Sequence, residues 1–289
     1  MFARSFTSNL IALSLSVAGW AMATVPAHSQ EVLDLTMVSE VKSVQPGAPF
    51  HVALSLQHKE GYHTYWKFPG IVGVPTSMDW ELPPGWQASE ILWPAPEQVH
   101  MFKIRAQGYH GNLLLPVQIT PPKDLAVGSE VTLKGKSSWM CCGRDCNPGF
   151  TDLTLKLPVT AAVPAADLRW QKPIAAALKE VPNPLQGWKV SAVRSAGEVT
   201  LKLVPEISGA VPEVKEVLFF TDDGLINADK DQKLERGADG SLTLRLEVSQ
   251  YADQPLATSL NGVLQSPQSW GGDGAESVSI SVPITVKDD

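Results

Sequence analysis

The strongest constraint on this chain is a strict alternation of apolar and polar residues that recurs in short runs. Phe50, Val52, Leu54 and Leu56 point to one side of an extended chain, while His51, Ala53 and Ser55 point to the other. The same period of two runs through Leu113-Leu115-Val117-Ile119, Val131-Leu133 and Leu153-Leu155-Leu157-Val159. It returns at Val199-Leu201-Leu203, from Val217 to Phe220, at Leu242-Leu244-Leu246-Val248 and from Val278 to Val286. A buried helical face needs a period near 3.6, so these runs predict half-buried strands. Pro46-Gly47, Pro83-Pro84-Gly85 and Pro121-Pro122 stand between them, and 23 Pro with 22 Gly supply turns for many short strands.

The alternation stops over residues 161–184, which are rich in Ala and Pro. Within them Pro173, followed by Ile174-Ala175-Ala176-Ala177-Leu178-Lys179, predicts one short helix with Pro at its first position. The expected fold is all-β: two β-sandwich domains, residues 30–160 and 185–289, joined by a linker over 161–184 that carries the helix. One larger sandwich is the alternative. No internal repeat points to a solenoid or propeller.

Residues 1–29 read as a secretory signal peptide. Arg4 precedes the apolar stretch Leu10–Ala18, and small residues follow at Ala21-Met22-Ala23 and Ala27-His28-Ser29, giving two candidate cleavage sites. The run is too short to span a bilayer, and no later stretch approaches the length of a transmembrane helix. The mature chain is therefore expected to be exported, with no membrane span. A formal net charge of −7 and the lack of any basic run argue against a nucleic-acid partner, whose phosphates would call for clustered Lys and Arg.

All three cysteines fall in Trp139-Met140-Cys141-Cys142-Gly143-Arg144-Asp145-Cys146-Asn147-Pro148-Gly149. An exported protein meets oxidising conditions, so one disulfide and one spare thiol are expected. Adjacent Cys141 and Cys142 are poor partners for each other. Cys142 with Cys146 is the easiest pairing, and Cys141 with Cys146 the next. A staple closing a loop of about 5 residues contributes only roughly 2 kcal/mol in the chain-entropy model, against nearly 5 for about 100 residues. Short-loop dithiols suit exchange chemistry, because the second thiol sits close enough to resolve a mixed disulfide formed by the first. Arg144 would favour a thiolate, and Asp145 beside it would offset part of that field. Redox exchange, a structural disulfide and metal binding all remain open on spacing alone.

Several segments together resemble a known family. They are Gly61-Tyr62-His63-Thr64-Tyr65-Trp66-Lys67-Phe68-Pro69-Gly70, Gly73-Val74-Pro75-Thr76, Ile91-Leu92-Trp93-Pro94-Ala95-Pro96, Gly108-Tyr109 and Cys142-Gly143-Arg144-Asp145-Cys146-Asn147-Pro148-Gly149. In this order they resemble the periplasmic N-terminal region of DsbD-type thiol:disulfide interchange proteins, most of all the ScsB-like branch associated with copper-stress tolerance. The resemblance covers roughly residues 31–160, and the later block, including Leu260-Asn261-Gly262-Val263-Leu264, is similar to the second β-domain of that branch. It implies immunoglobulin-like sandwiches, with Cys142 and Cys146 as a redox pair that exchanges with periplasmic thioredoxin-fold proteins. It implies no organic cofactor. Tyr62 stands where the family usually has Trp, Phe68 where it has Asn, and Cys141 is extra. Family members with full electron transport continue into a membrane domain and a thioredoxin-like domain, so a separate membrane-embedded electron donor is expected here. By the same resemblance Cys146 is the sulfur joined to the partner and Cys142 the resolving one.

The aromatic residues Tyr62, Tyr65, Trp66, Phe68 and Tyr109, with Trp93 and with His63 among them, are candidates to line or shield the dithiol, the alternative being plain core. His58, His63, His100, Met101, His110 and Met140 include ligand types suited to Cu(I) but lack tight ligand spacing, so no metal site is assigned. Asp222-Asp223-Gly224 and Asp229-Lys230-Asp231 lack a Ca²⁺-loop pattern and read as turns. Three functions therefore stay open: an exchange module, a copper-binding or copper-protective protein, and a binding module with a structural disulfide.

Overall fold

The computed structural model describes residues 29–207, 214–252, 257–270 and 274–287. Apart from Ser29, the expected leader lies outside them.

The chain folds into two β-sandwiches. In the first, a single helical turn, α1 (Ser29–Val32), leads into β1 (Leu33–Ser39), β2 (Phe50–His58), β3 (His63–Tyr65), β4 (Ser77–Glu81) and β5 (Gln87–Ala88). Then come β6 (Glu97–Met101), β7 (Ile104–His110), β8 (Asn112–Thr120), β9 (Glu130–Cys142) and β10 (Cys146–Pro158). One sheet has the order β1-β2-β8-β5, and the other β10-β9-β3-β7-β6, with β4 also paired to β9. Leu54, Leu56, Leu115, Trp66, Tyr109 and Trp139 fill one part of the space between the sheets, and Val52, Val117, Ile119 and Leu133 the other. The alternation around Phe50 and Leu113 thus produces the strands it predicts, β2 and β8, slightly lengthened.

Strand β9 shows why the dithiol sits where it does. Val131, Leu133, Trp139 and Cys141 point into the core while Lys134, Lys136 and Ser138 face solvent. The alternation breaks only at the last residue, Cys142, which is buried on the outer face. Something must cover the sheet there.

The second sandwich holds β11 (Asn183–Pro184), β12 (Trp188–Ser195), β13 (Glu198–Pro205), β14 (Leu218–Thr221), β15 (Lys233–Arg236), β16 (Leu242–Glu247), β17 (Ser259–Gln265) and β18 (Ser277–Val286). Strand β18 pairs with β17 through Pro283 and then with β12 from Ile284, so one strand serves both faces. Leu201, Leu203, Leu244, Leu260, Leu264 and Trp270 form its core.

Between them, α2 spans Gln171–Lys179. It begins two residues before the expected start, leaving Pro173 in the first turn, where its missing N–H has no intrahelical partner to lose. The helix does not hang free. Ile174 is fully buried against Val38 and Ala53, with Leu114, Trp170 and Leu178 around it, so α2 covers the outer face of the first sheet. The two sandwiches also touch directly: Phe220 and Val263 of the second join the buried cluster of the first.

Candidate functional site

Strands β9 and β10 form one long hairpin whose register sets Cys142 opposite Cys146, leaving Gly143-Arg144-Asp145 as the loop. These two cysteines form a disulfide with Cα atoms 4.1 Å apart. Cys142 has no solvent exposure, whereas Cys146 is half-buried at the rim. Strand alternation settles which thiol is spare. Cys141 points to the opposite face, into the core beside Trp139 and Leu153, with its sulfur 3.9 Å from the Val32 carbonyl oxygen. Burial pushes its thiol up to about 12, with the negative charge of Asp145 adding to the effect. Cys141 is a core residue that stays protonated.

The hairpin loop is fastened from below. The Tyr62 hydroxyl donates to Asp145 Oδ1 at 2.7 Å, and Asn147 Nδ2 donates to the same oxygen at 3.1 Å. The Arg144 Nε in turn donates to the Tyr62 oxygen at 3.3 Å. Arg144 is exposed, and its guanidinium is engaged by Tyr62 and offset by Asp145, which weakens the thiolate-favouring field expected from sequence.

Above the disulfide lies a small apolar group on the outer face. Tyr65, Val99, Ala106 and Cys142 are buried together, with Val72, Met140 and Cys146 packed around them. Strand β3 meets β9 at one pair, His63 opposite Cys142, and meets β7 with His63 opposite His110. Directly opposed residues project from the same face of a sheet, so His63 shares the covered face with the disulfide. It is 2% exposed, and its ring contacts Tyr65 edge-on at 5.2 Å and His110 at 5.4 Å. Burial holds its imidazole down at about 4, helped by His110, His58 and His100. Burial likewise raises the Tyr65 phenol to about 12.

The strap from Trp66 to Thr76, between β3 and β4, closes this face. At Gly73, where φ is 95°, a Cβ would overlap the Tyr65 ring, so the strap lies flush on the tyrosine only because that residue is glycine. The strap's other end is tied by Gln107, which is 2% exposed. Its main chain pairs with Trp66 and Pro69, and its side-chain amide donates to the Phe68 carbonyl at 2.6 Å and to the Thr221 carbonyl of the second sandwich at 2.8 Å. The Phe68 ring lies on Gly224, where a Cβ would overlap it. Lys67 pairs with Asp222 at 2.9 Å, while Arg105 bonds Asp229 and Asp231.

The sequence candidates therefore separate into groups. His63 and Tyr65 flank the disulfide, while Tyr62 and Arg144 hold its loop. Phe68 anchors the strap to the second sandwich. Trp66 and Tyr109 belong to the inner core. There Tyr109 stacks with Trp93 at 6.5 Å and donates to the Pro94 carbonyl, on the face away from the sulfurs. Sequence reasoning missed Val72, Val99 and Gln107, none of which carries a chemical signature. Of the candidate copper ligands, His58 is bonded to Thr64 and His110 to Glu97. Among the described residues no three His, Cys, Asp or Glu side chains converge to hold a metal ion. None of the described helices is long and apolar enough to cross a membrane.

Residues 30–158 match the family described as thiol:disulfide interchange protein DsbD, N-terminal. This part of the chain is a DsbD-type N-terminal domain. The matched residues include the Cys142–Cys146 disulfide, and the match together with that pair supports a thiol:disulfide interchange module. Among solved structures, the N-terminal periplasmic domain of ScsB from Proteus mirabilis is similar over 90% of this chain and 96% of that one, at 18% identity and a TM-score of 0.64. That likeness extends the shared fold, two immunoglobulin-like sandwiches, beyond the DsbD-type domain. The periplasmic chaperone SfaE and BcpA, the major pilin subunit of Bacillus cereus, are each 8% identical over 88% of this chain and cover 100% and 68% of theirs. Their TM-scores of 0.23 and 0.27 carry no argument here. A comparison with curated proteins finds no match.

Proposed function

We propose that the chain is a periplasmic thiol–disulfide exchange module that passes reducing equivalents between a membrane-embedded donor and thioredoxin-fold proteins through Cys142 and Cys146. The observation that carries this reading is where the disulfide lies. It joins residues that the hairpin already holds opposite each other, so closing its short loop removes little entropy that the fold has not already removed, and it makes a poor staple. It also presents one sulfur at the rim and hides the other, as stepwise exchange requires.

In this reading Cys146 forms the mixed disulfide and Cys142 resolves it. His63 and Tyr65, under the Trp66–Thr76 strap, shield the pair from indiscriminate thiols, and Tyr62 with Arg144 keeps the loop in place. The redox chemistry belongs to residues 30–160, and 185–289 form the second domain beyond the 161–184 connection. The leader-like start of the sequence and the family's thiol chemistry support export to the periplasm. The test is capture of partners from a periplasmic extract under non-reducing conditions. Cys142→Ser leaves the Cys146 thiol without a resolving partner and is expected to trap thioredoxin-fold proteins covalently, whereas Cys146→Ser is not. If neither variant captures a partner, and the wild-type disulfide survives in a buffer poised at about −270 mV, the bond is structural.

A further inference from the structure

Two residues on the face that carries the disulfide each bury a polar atom that shielding alone does not call for. His63 Nε2 and the Tyr65 hydroxyl find no hydrogen-bond partner among the described residues, and an unpaired buried polar atom is costly to keep. His63 stands directly opposite Cys142 on the covered face, at 2% exposure, beside a cysteine with none. While the disulfide is intact, neither sulfur carries a proton to offer Nε2. Once the disulfide is reduced, Cys142 becomes an S–H donor that water cannot reach.

We propose that His63 is the proton acceptor for Cys142, so that the imidazole activates the resolving thiol; this rests on the exchange reading above. With the pair reduced, the Cys146 thiolate attacks one sulfur of a partner's disulfide. A Cys146–partner bond forms, the partner's S–S bond breaks, and its second sulfur leaves with the electron pair and takes a proton from solvent. Cys142 then gives its proton to His63 Nε2 and its thiolate attacks Cys146 Sγ. The mixed disulfide breaks, the partner's remaining sulfur leaves as a thiolate, and His63 returns the proton to it. This chain ends oxidised and the partner ends as a dithiol. Reduction of the chain by a donor dithiol is the same path reversed.

The surroundings make the proton transfer brief. Facing His63 are Tyr65 on its own strand, His110 on β7, His100 and Glu97 on β6, and His58 at the end of β2. The three histidines and burial oppose a charged imidazole, and Glu97, already bonded to His110, is the one group favouring it. His63 therefore holds the proton only while a thiolate lies beside it, as in a thiolate–imidazolium pair.

The experiment uses the reduced full chain and an aromatic disulfide reagent that releases a coloured thiol. Attack by Cys146 gives a first burst of colour, and resolution by Cys142 a second. His63→Gln is expected to slow the second phase by at least about tenfold at neutral pH and to move its pH dependence into the ordinary thiol range, leaving the first phase unchanged. A second phase with the wild-type rate and pH profile would overturn the proposal. If the variant does not fold, the imidazole nitrogen shifts of the wild-type chain decide: Nε2 is expected to change between the oxidised and reduced forms, and identical shifts overturn the proposal. Normal two-phase kinetics with no partner captured by Cys142→Ser would reject the exchange reading alone.

Discussion

At the scale of single residues, His63 has a measurable signature even in the oxidised chain. Its folded imidazole titrates at about 4, well under the ordinary value of 6.5, because it is buried. Above pH 6.5 both folded and unfolded chains carry it neutral, and it adds no pH dependence. Below that, the unfolded chain binds a proton that the folded one refuses until about pH 4, so stability is lost across this window. The loss amounts to about 3 kcal/mol at most. Denaturant titrations of the oxidised wild type between pH 7 and 4 should show the fall, and His63→Phe should flatten it. Cys141 makes a second case. Its protonated, core-facing thiol should leave the reduced native chain with two reactive thiols, the third appearing only on denaturation. Cys141→Ser, which puts a hydroxyl in that core, should cost about 1–3 kcal/mol without altering exchange. The period of two already separates Trp139 and Cys141 from Met140 and Cys142. The pairing of His63 with Cys142 is another matter, since it is set by register between distant strands, which no local pattern encodes.

At the scale of elements, the helix between the sandwiches is where sequence and structure differ most. Ala- and Pro-rich composition predicts a helix in a tether, and the helix is there, but the single fully buried Ile174 converts it into a layer of the first sandwich. Ile174→Ala should therefore destabilise the protein by about 2–4 kcal/mol in a denaturant titration, a cost no solvated linker would show. The β9–β10 hairpin is half legible for a similar reason. Leu153-Leu155-Leu157 announces its far end, whereas no apolar alternation runs through residues 143–149, and only cross-strand pairing with β9 draws residues 146–149 into the sheet.

At the scale of the whole molecule, the covered disulfide depends on both sandwiches. The strap over it is tied to the second by Phe68 on Gly224, by Gln107 and by Lys67, contacts between positions at least 114 residues apart. Aspartates 222, 229 and 231 look like ordinary turns in the sequence because their partners lie in the other sandwich. Phe68→Ala should release the strap's anchor and speed reduction of the Cys142–Cys146 bond by a small dithiol, roughly tenfold, while the folded β-signature in circular dichroism persists. An unchanged reduction rate would mean that the strap holds its place without the second sandwich.

The Gln107 amide, which donates to Phe68 on one side and to Thr221 on the other, bears on how this protein can be recombined. A stretch of sequence that matches a family by itself is here stitched to its neighbour at several points, one of them this buried side chain. Moving residues 30–158 alone into another protein would carry the chemistry but strand that amide, and with it the cover of the disulfide. The unit to move in engineering is the tandem, because the boundary along the chain is not a boundary in space.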